Sequence, residues 1–155
     1  VPVLGVLPYL KELTTVSVSY LADCLFARVI AGEDHMEKVV QRIFVGASSA
    51  DSVLRDTAFQ EDNKLIITSG DRSDIILASL DSSTAGIVLT NNLLPPRNIV
   101  AKAQEKHVPL LMVPGDTFAV AKQVDDLEPL ITKRDEVKQQ LLGEMVSERV
   151  DLSVF

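Results

Sequence analysis

The sequence predicts an α/β fold of three layers, a mainly parallel sheet covered by helices on both faces. Apolar runs of strand length alternate with stretches of helical spacing, and turn residues punctuate nearly every change. The runs LIIT, GIVLT and PLLMV are apolar throughout instead of alternating. A strand with one wet face alternates, whereas a strand that is apolar at every position is covered on both.

The elements follow in order. VPVLGVLP reads as a strand, and the polar stretch YLKELTT after it is the candidate domain boundary. The opening strand, with no initiator Met, is expected to have been cut from the interior of a longer protein. Residues 1–14 are therefore assigned to the end of a preceding domain or to a linker, and 15–155 to the α/β domain. A short helix is expected in SVSYLADCL and a strand in FARVIAG, then a strand in QRIFVGA and a helix in SADSVLRDT. LIIT, GIVLT and PLLMV are strands separated by the helices DIILASL and RNIVAKAQEKH, and FAVAKQV is helical. An acidic linker, QVDDLEP, leads to an amphipathic helix over about 133–150. On it Val137, Leu141, Leu142, Met145, Val146 and Val150 form one stripe that must be buried, against its own sheet or in a symmetric homodimer.

Composition narrows the partners. At 155 residues the chain is about one domain and long enough to bury a core. A formal charge of −7 disfavours nucleic acid and anionic membrane surfaces, whose recognition begins with a basic face. No window approaches the roughly 18 to 20 apolar residues of a membrane span. The lone Cys24 excludes an internal disulfide and reads as a small core residue on a helix, which suits a reducing, cytoplasmic setting.

Candidate chemistry lies after the strands, because ligands gather at strand C-termini in open parallel sheets. In SGDRSD, Gly70 permits a tight turn, Asp71 suits the N-cap of the next helix, and Asp74 complements the positive end of its dipole. Arg72 is not explained by capping. A guanidinium near a helix N-terminus either pairs with Asp71 or Asp74 or faces an anion. After GIVLT, Asn91 and Asn92 can take left-handed backbone, and Pro95 and Pro96 suit the approach to a helix. After PLLMV, Asp116 or Thr117 can cap FAVAKQV. If the three strands are neighbours, Thr68, Asp71, Arg72, Thr90, Asn91, Asn92, Asp116 and Thr117 converge at one sheet edge, and Asp74 beside them is a further ligand-binding candidate. Each also makes sense as turn or cap chemistry alone.

No catalytic pattern accompanies them. GASSADS matches neither the phosphate-loop nor the dinucleotide fingerprint, and no G-x-S-x-G elbow appears. His35 and His107 stand apart in sequence, without spacings that suggest a metal or a relay. No cofactor, metal or catalytic residue is expected.

GDRSDIILASL followed after the next strand by GIVLTNNL resembles the DRTGG domain, named for an Asp-Arg motif after one strand and a Thr-Gly-Gly motif after the next. Asp71 and Arg72 match the first motif and Thr90 the Thr of the second, while Asn91 and Asn92 replace the Gly-Gly. The N-terminal stretch, VPVLGVLP to AGED, resembles the junction between a dethiobiotin-synthetase-like P-loop domain and a DRTGG domain in long bacterial phosphate acetyltransferases. Such P-loop modules also resemble cobyrinic acid a,c-diamide synthase. The resemblance implies a fold similar to the N-terminal domain of HPr kinase, and regulatory or assembly work beside a covalently linked P-loop or catalytic domain. A small anionic metabolite is the ligand class that Arg72 suggests. The other reading is part of an enzyme acting on a phosphorylated or carboxylate substrate.

Overall fold

Residues 3–46, 50–133 and 135–151 are described by the computed structural model of the chain. They group into two compact units, one spanning Val16–Leu127, the other joining the N-terminal stretch up to Thr15 with the C-terminal stretch from Glu128.

The first unit is built on a five-stranded sheet. In chain order its elements are β1 (Val16–Ser17), α1 (Val18–Cys24), β2 (Arg28–Ala31), β3 (Val39–Val40), β4 (Arg42–Val45), α2 (Ala50–Leu54), β5 (Lys64–Ser69), α3 (Ser73–Leu80), β6 (Thr84–Thr90), α4 (Arg97–Glu105), β7 (Leu110–Met112) and α5 (Thr117–Asp125). The sheet order is β2-β7-β6-β5-β4, and β1 pairs with β3 in a separate antiparallel ribbon. β4, β5, β6 and β7 are parallel neighbours, each joined to the next through one α-helix, with a 3-10 turn at Thr57–Gln60 following α2. Winding in one direction with a constant crossover hand keeps those helices on one face. Val53 of α2, Ile75 and Leu80 of α3 and Ile99 of α4 accordingly share a cluster with Ile66, Ile87, Leu89 and Leu110. The other face packs Leu65, Ile67, Val88 and Leu111 against Val18 and Leu21 of α1 and Val120 and Val124 of α5. The alternation of side chains along a strand sends successive residues to opposite clusters, so an all-apolar run is what both layers require. Each fully buried aliphatic side chain contributes roughly 1.5–3 kcal/mol.

FARVIAG supplies the expected strand, β2, which runs antiparallel to β7 within the mainly parallel sheet. Other expectations are corrected. Among the described residues VPVLGVLP forms no strand, only an isolated bridge between Gly5 and Val150. Within GASSADS, residues 47–49 lie outside the described residues. Cys24 ends α1 half-buried instead of sitting in the core.

Lys64, at the start of β5, is fully buried. Its Nζ donates to the carbonyls of Glu61 at 3.1 Å and Ser83 at 3.0 Å and lies 4.9 Å above the Phe59 ring. Burial pushes this ammonium below the usual lysine range, and nearby Asp62 opposes the shift.

In the second unit, α6 (Glu136–Arg149) begins near Asp135, whose carboxylate accepts from the Thr132 amide and hydroxyl at 2.6 and 2.7 Å. The chain ends are tied where the Asp151 amide donates to the Leu4 carbonyl at 2.7 Å, and Lys138 Nζ donates to the Thr15 carbonyl. The α6 stripe is buried only in part. Met145 is buried and Leu141, Leu142, Val146 and Val150 are half-buried, but Val137 is 82% exposed. Val137 lies in the first turn, one turn ahead of the residues that pack.

Candidate functional site

Three loops meet at the C-terminal edge of the parallel strands. The Asn91 amide donates to the Gly115 carbonyl at 2.8 Å and the Asn92 amide to the Val113 carbonyl at 2.9 Å, tying the loop after β6 to the loop after β7. Gly70, after β5, is buried against the loop after β6, so closely that a Cβ there would stand 1.7 Å from the Leu93 carbonyl oxygen.

Asn91 and Asn92 both adopt left-handed backbone, with φ of 60° and 55°. Asn tolerates this region because its short amide compensates locally for the Cβ crowding that penalises other side chains. Both positions thus take the backbone region that glycine enters without cost, and each carries an exposed amide side chain.

Register decides which hydroxyls face the same way. Ser69 and Thr90 are partners across β5 and β6, on the face that carries α5. Thr90 is fully buried, its Oγ1 2.8 Å from Thr117 Oγ1 at the first residue of α5. Asn91 Nδ2 makes long contacts of 3.4 Å to both Ser69 Oγ and Thr90 Oγ1. Thr68 is one residue out of phase. Its Oγ1 donates to the Gly46 carbonyl at 3.2 Å, so it stabilises the end of β4 and does not join this group. Ser69 takes its place, and strand alternation once register is known is the signal that finds it.

Asp116 caps α5 as the sequence suggests, accepting from the Ala119 amide at 2.8 Å. Asp71 does not cap α3. The N-cap residue is Arg72, whose side chain makes no cap bond, and the exposed Asp71 carbonyl accepts from the Ser73 amide. The turn is one residue longer than the N-cap assignment assumed, because Arg72 N closes on the Ser69 carbonyl before the helix begins. Arg72 instead grips Asp74 with Nε to Oδ1 at 3.0 Å and Nη2 to Oδ2 at 3.1 Å. This forked bond holds the Asp74 carboxyl below its usual range and raises the guanidinium further. Asp74 also accepts from backbone amides of the first turn of α3.

Substituting alanine for Asp116 is expected to cost about 1 kcal/mol, the usual loss for an N-cap, whereas Asp71→Ala should cost a few tenths. Urea denaturation of both variants checks this. Equal losses would mean that Asp71 shares the capping role.

The structure also joins two residues that the sequence left apart. His35 and His107 rings lie 4.5 Å apart with a tilt of 52°, and Lys38 Nζ donates to the His107 carbonyl at 2.7 Å. Among the described residues no group of three or more His, Cys, Asp or Glu is placed to hold a metal ion. Among them, too, no helix is long and apolar enough to cross a membrane.

Fold and loops together define a helix-covered, mainly parallel α/β module whose polar groups collect at the strand ends. The DRTGG domain family matches residues 20–127, and the chain belongs to that family. Phosphate acetyltransferases of Pseudomonas aeruginosa and Synechocystis sp. are 27% and 30% identical to it over 96% and 88% of the chain. The chain spans 22% and 20% of their lengths, about a fifth. A solved structure of the CBS and DRTGG domains of the regulatory region of Clostridium perfringens pyrophosphatase, complexed with the activator diadenosine tetraphosphate, superposes with a TM-score of 0.62. That match covers 89% of this chain and 61% of the other at 19% identity, and it shows the shared fold.

Proposed function

We propose that the chain is a non-catalytic regulatory and assembly domain that binds a small anionic metabolite over the loops after β5, β6 and β7. The observation that carries this reading is the divergence of two neighbouring connections. The loop after β6 leads to α4 on one face of the sheet, and the loop after β7 leads to α5 on the other. Adjacent strands whose connections part in this way open the crevice where α/β sheets hold ligands. Thr90, Asn91, Asn92, Asp116 and Thr117 lie in or beside those two connections, and Asp71, Arg72 and Asp74 follow the next strand along. An arriving anion competes with Asp74 for the Arg72 fork, and that exchange is the regulatory step.

The family and its regulatory structural neighbour support a sensing role, and the phosphate acetyltransferase relatives support a larger enzyme as the context. In that context 1–14 is the end of a preceding P-loop-like domain or a linker, and the regulated chemistry resides outside this chain. Homodimerisation through α6 or an adjacent sheet edge completes the reading.

A thermal-shift screen with ATP, diadenosine tetraphosphate, acetyl phosphate and pyruvate tests the binding. A ligand that binds only the folded state raises Tm, by about 2.7 kcal/mol of stabilisation at a hundredfold excess over Kd. One class should raise it in the natural chain and fail to do so in Arg72→Ala. A flat response to every anion would refute binding. Light scattering should give a mass near twice 16.9 kDa; a monomer at every concentration would refute the assembly role.

A further inference from the structure

We propose that the domain has a second anion site at the opposite end of its strands, in a cavity that accepts a phosphate monoester of a small polar metabolite. The cavity measures about 570 Å³ and is lined by Lys38, Asn63, Asp81, Ser82, Ser83 and Lys106, with Val39, Leu80 and Val108 as its apolar part. That volume falls within the range of small-molecule sites. These residues lie at or just before the starts of β3, β5 and β6 or at and just after the ends of α3 and α4, so the cavity lies at the N-terminal end of β5 and β6 and away from the motif loops.

The charges here contrast with a chain whose net charge is −7. The ionised lining consists of two lysines and one aspartate. Asp81 is already matched, because Lys102 Nζ donates to its Oδ2 at 2.8 Å. Lys106 reaches the other carboxylate oxygen only at 3.9 Å, beyond hydrogen-bond distance. Lys38 donates to a neutral acceptor, the His107 carbonyl, and burial lowers its affinity for a proton. A partly desolvated ammonium on a carbonyl gains more from an anion than a solvated one does.

Helix dipoles supply the ordinary explanation for lysines in this place. α3 and α4 end at Leu80 and Glu105, and each C-terminus carries about half a negative charge. The two ends sum to about −1, against about +2 from Lys38 and Lys106 once Lys102 is set against Asp81. A surplus near +1 remains among the lining groups and helix ends, before counting buried Lys64, whose Nζ donates to the Ser83 carbonyl and which has Asp62 nearby.

The surplus and the shape select the ligand. Two ammonium groups from separate elements act as point charges suited to a phosphate. The cavity is far larger than the share of about 30 Å³ that a water takes, so an organic body accompanies the phosphate. Asn63, Ser82 and Asp81 offer polar contacts for its hydroxyl groups. On binding, Lys106 turns from Asp81 to the phosphate while Lys102 stays.

Isotope-labelled protein titrated with glucose 6-phosphate and AMP, with glucose as the uncharged control, tests the proposal by amide chemical shifts. Saturable shifts are expected at 80–84 and 106–108 with the phosphate esters and not with glucose. The Lys38→Gln, Lys106→Gln double variant should weaken binding at least about tenfold, and Lys106→Gln alone should weaken it less. Arg72→Ala should leave it unchanged, which separates this site from the motif loops. No saturable shift up to about 10 mM, equal shifts with glucose, or unaltered binding in the lysine variants would overturn it. Shifts confined to 69–72 and 90–92 would also overturn it, while leaving the reading of those loops intact.

Discussion

Gly70→Ala is expected to destabilise the domain by about 3 kcal/mol, at the upper end of what overpacking costs. The added Cβ would sit 1.7 Å from the oxygen and 2.5 Å from the carbon of the Leu93 carbonyl. Those are backbone atoms, and they cannot rotate away as the tip of a side chain can. Relief requires the loop after β5 to part from the loop after β6, which pulls Ser69 from Asn91 and Arg72 from its place at the start of α3. A glycine in an open position makes the control. At Gly143, inside α6, an added Cβ would meet nothing within 4 Å, and alanine there should gain roughly 0.5–1 kcal/mol. Denaturant midpoints should move in opposite directions for the two variants. A loss below about 1 kcal/mol at Gly70 would show that the loops separate easily and are not a fixed platform.

Phe59→Ala is expected to cost about 4 kcal/mol, as for large aromatic truncations in cores. Phe59 is 1% exposed and meets the Phe44 ring edge-on at 5.3 Å, so its removal opens a cavity beside β4. It also removes the ring face under the Lys64 ammonium. Phe59→Leu retains most of the volume and should cost about 1–2 kcal/mol. A double-mutant cycle with Lys64→Met isolates the cation–π share, expected at about 1 kcal/mol for a buried pair. A coupling energy of zero would mean that Lys64 is held by the Glu61 and Ser83 carbonyls alone.

Much of the sheet is legible in the sequence because its signals are local. LIIT and GIVLT lie in β5 and β6, PLLMV contains β7, and the helical spacings between them mark α3 and α4. The strand-end residues are legible for the same reason: Asp116 caps α5, and Asn91 with Asn92 takes the left-handed turn. Asp71 is not the cap that its position suggests. An Asp one residue before an Arg and two before a Ser leaves the start of a helix ambiguous by one position, and the closing bond from Arg72 to Ser69 settles it. The α6 stripe shows the converse limit, since periodicity names a face but cannot say how far along it the neighbours extend. Val137 is where they stop.

The α/β class, the order of most elements, the family and the residues of the motif loops can all be read from the amino-acid sequence. Each follows from side-chain pattern and turn chemistry within a few residues. That β2 enters antiparallel beside β7 emerges only on folding, since direction depends on a pairing with a strand about eighty residues later. Folding also makes Ser69, and not Thr68, face Thr90, because inter-strand register sets the phase of alternation. It places Lys64 over Phe59 and brings Lys38 and Lys106 to one cavity. Burial and charge balance are sums over groups far apart in the chain, so they exist only once the layers have closed.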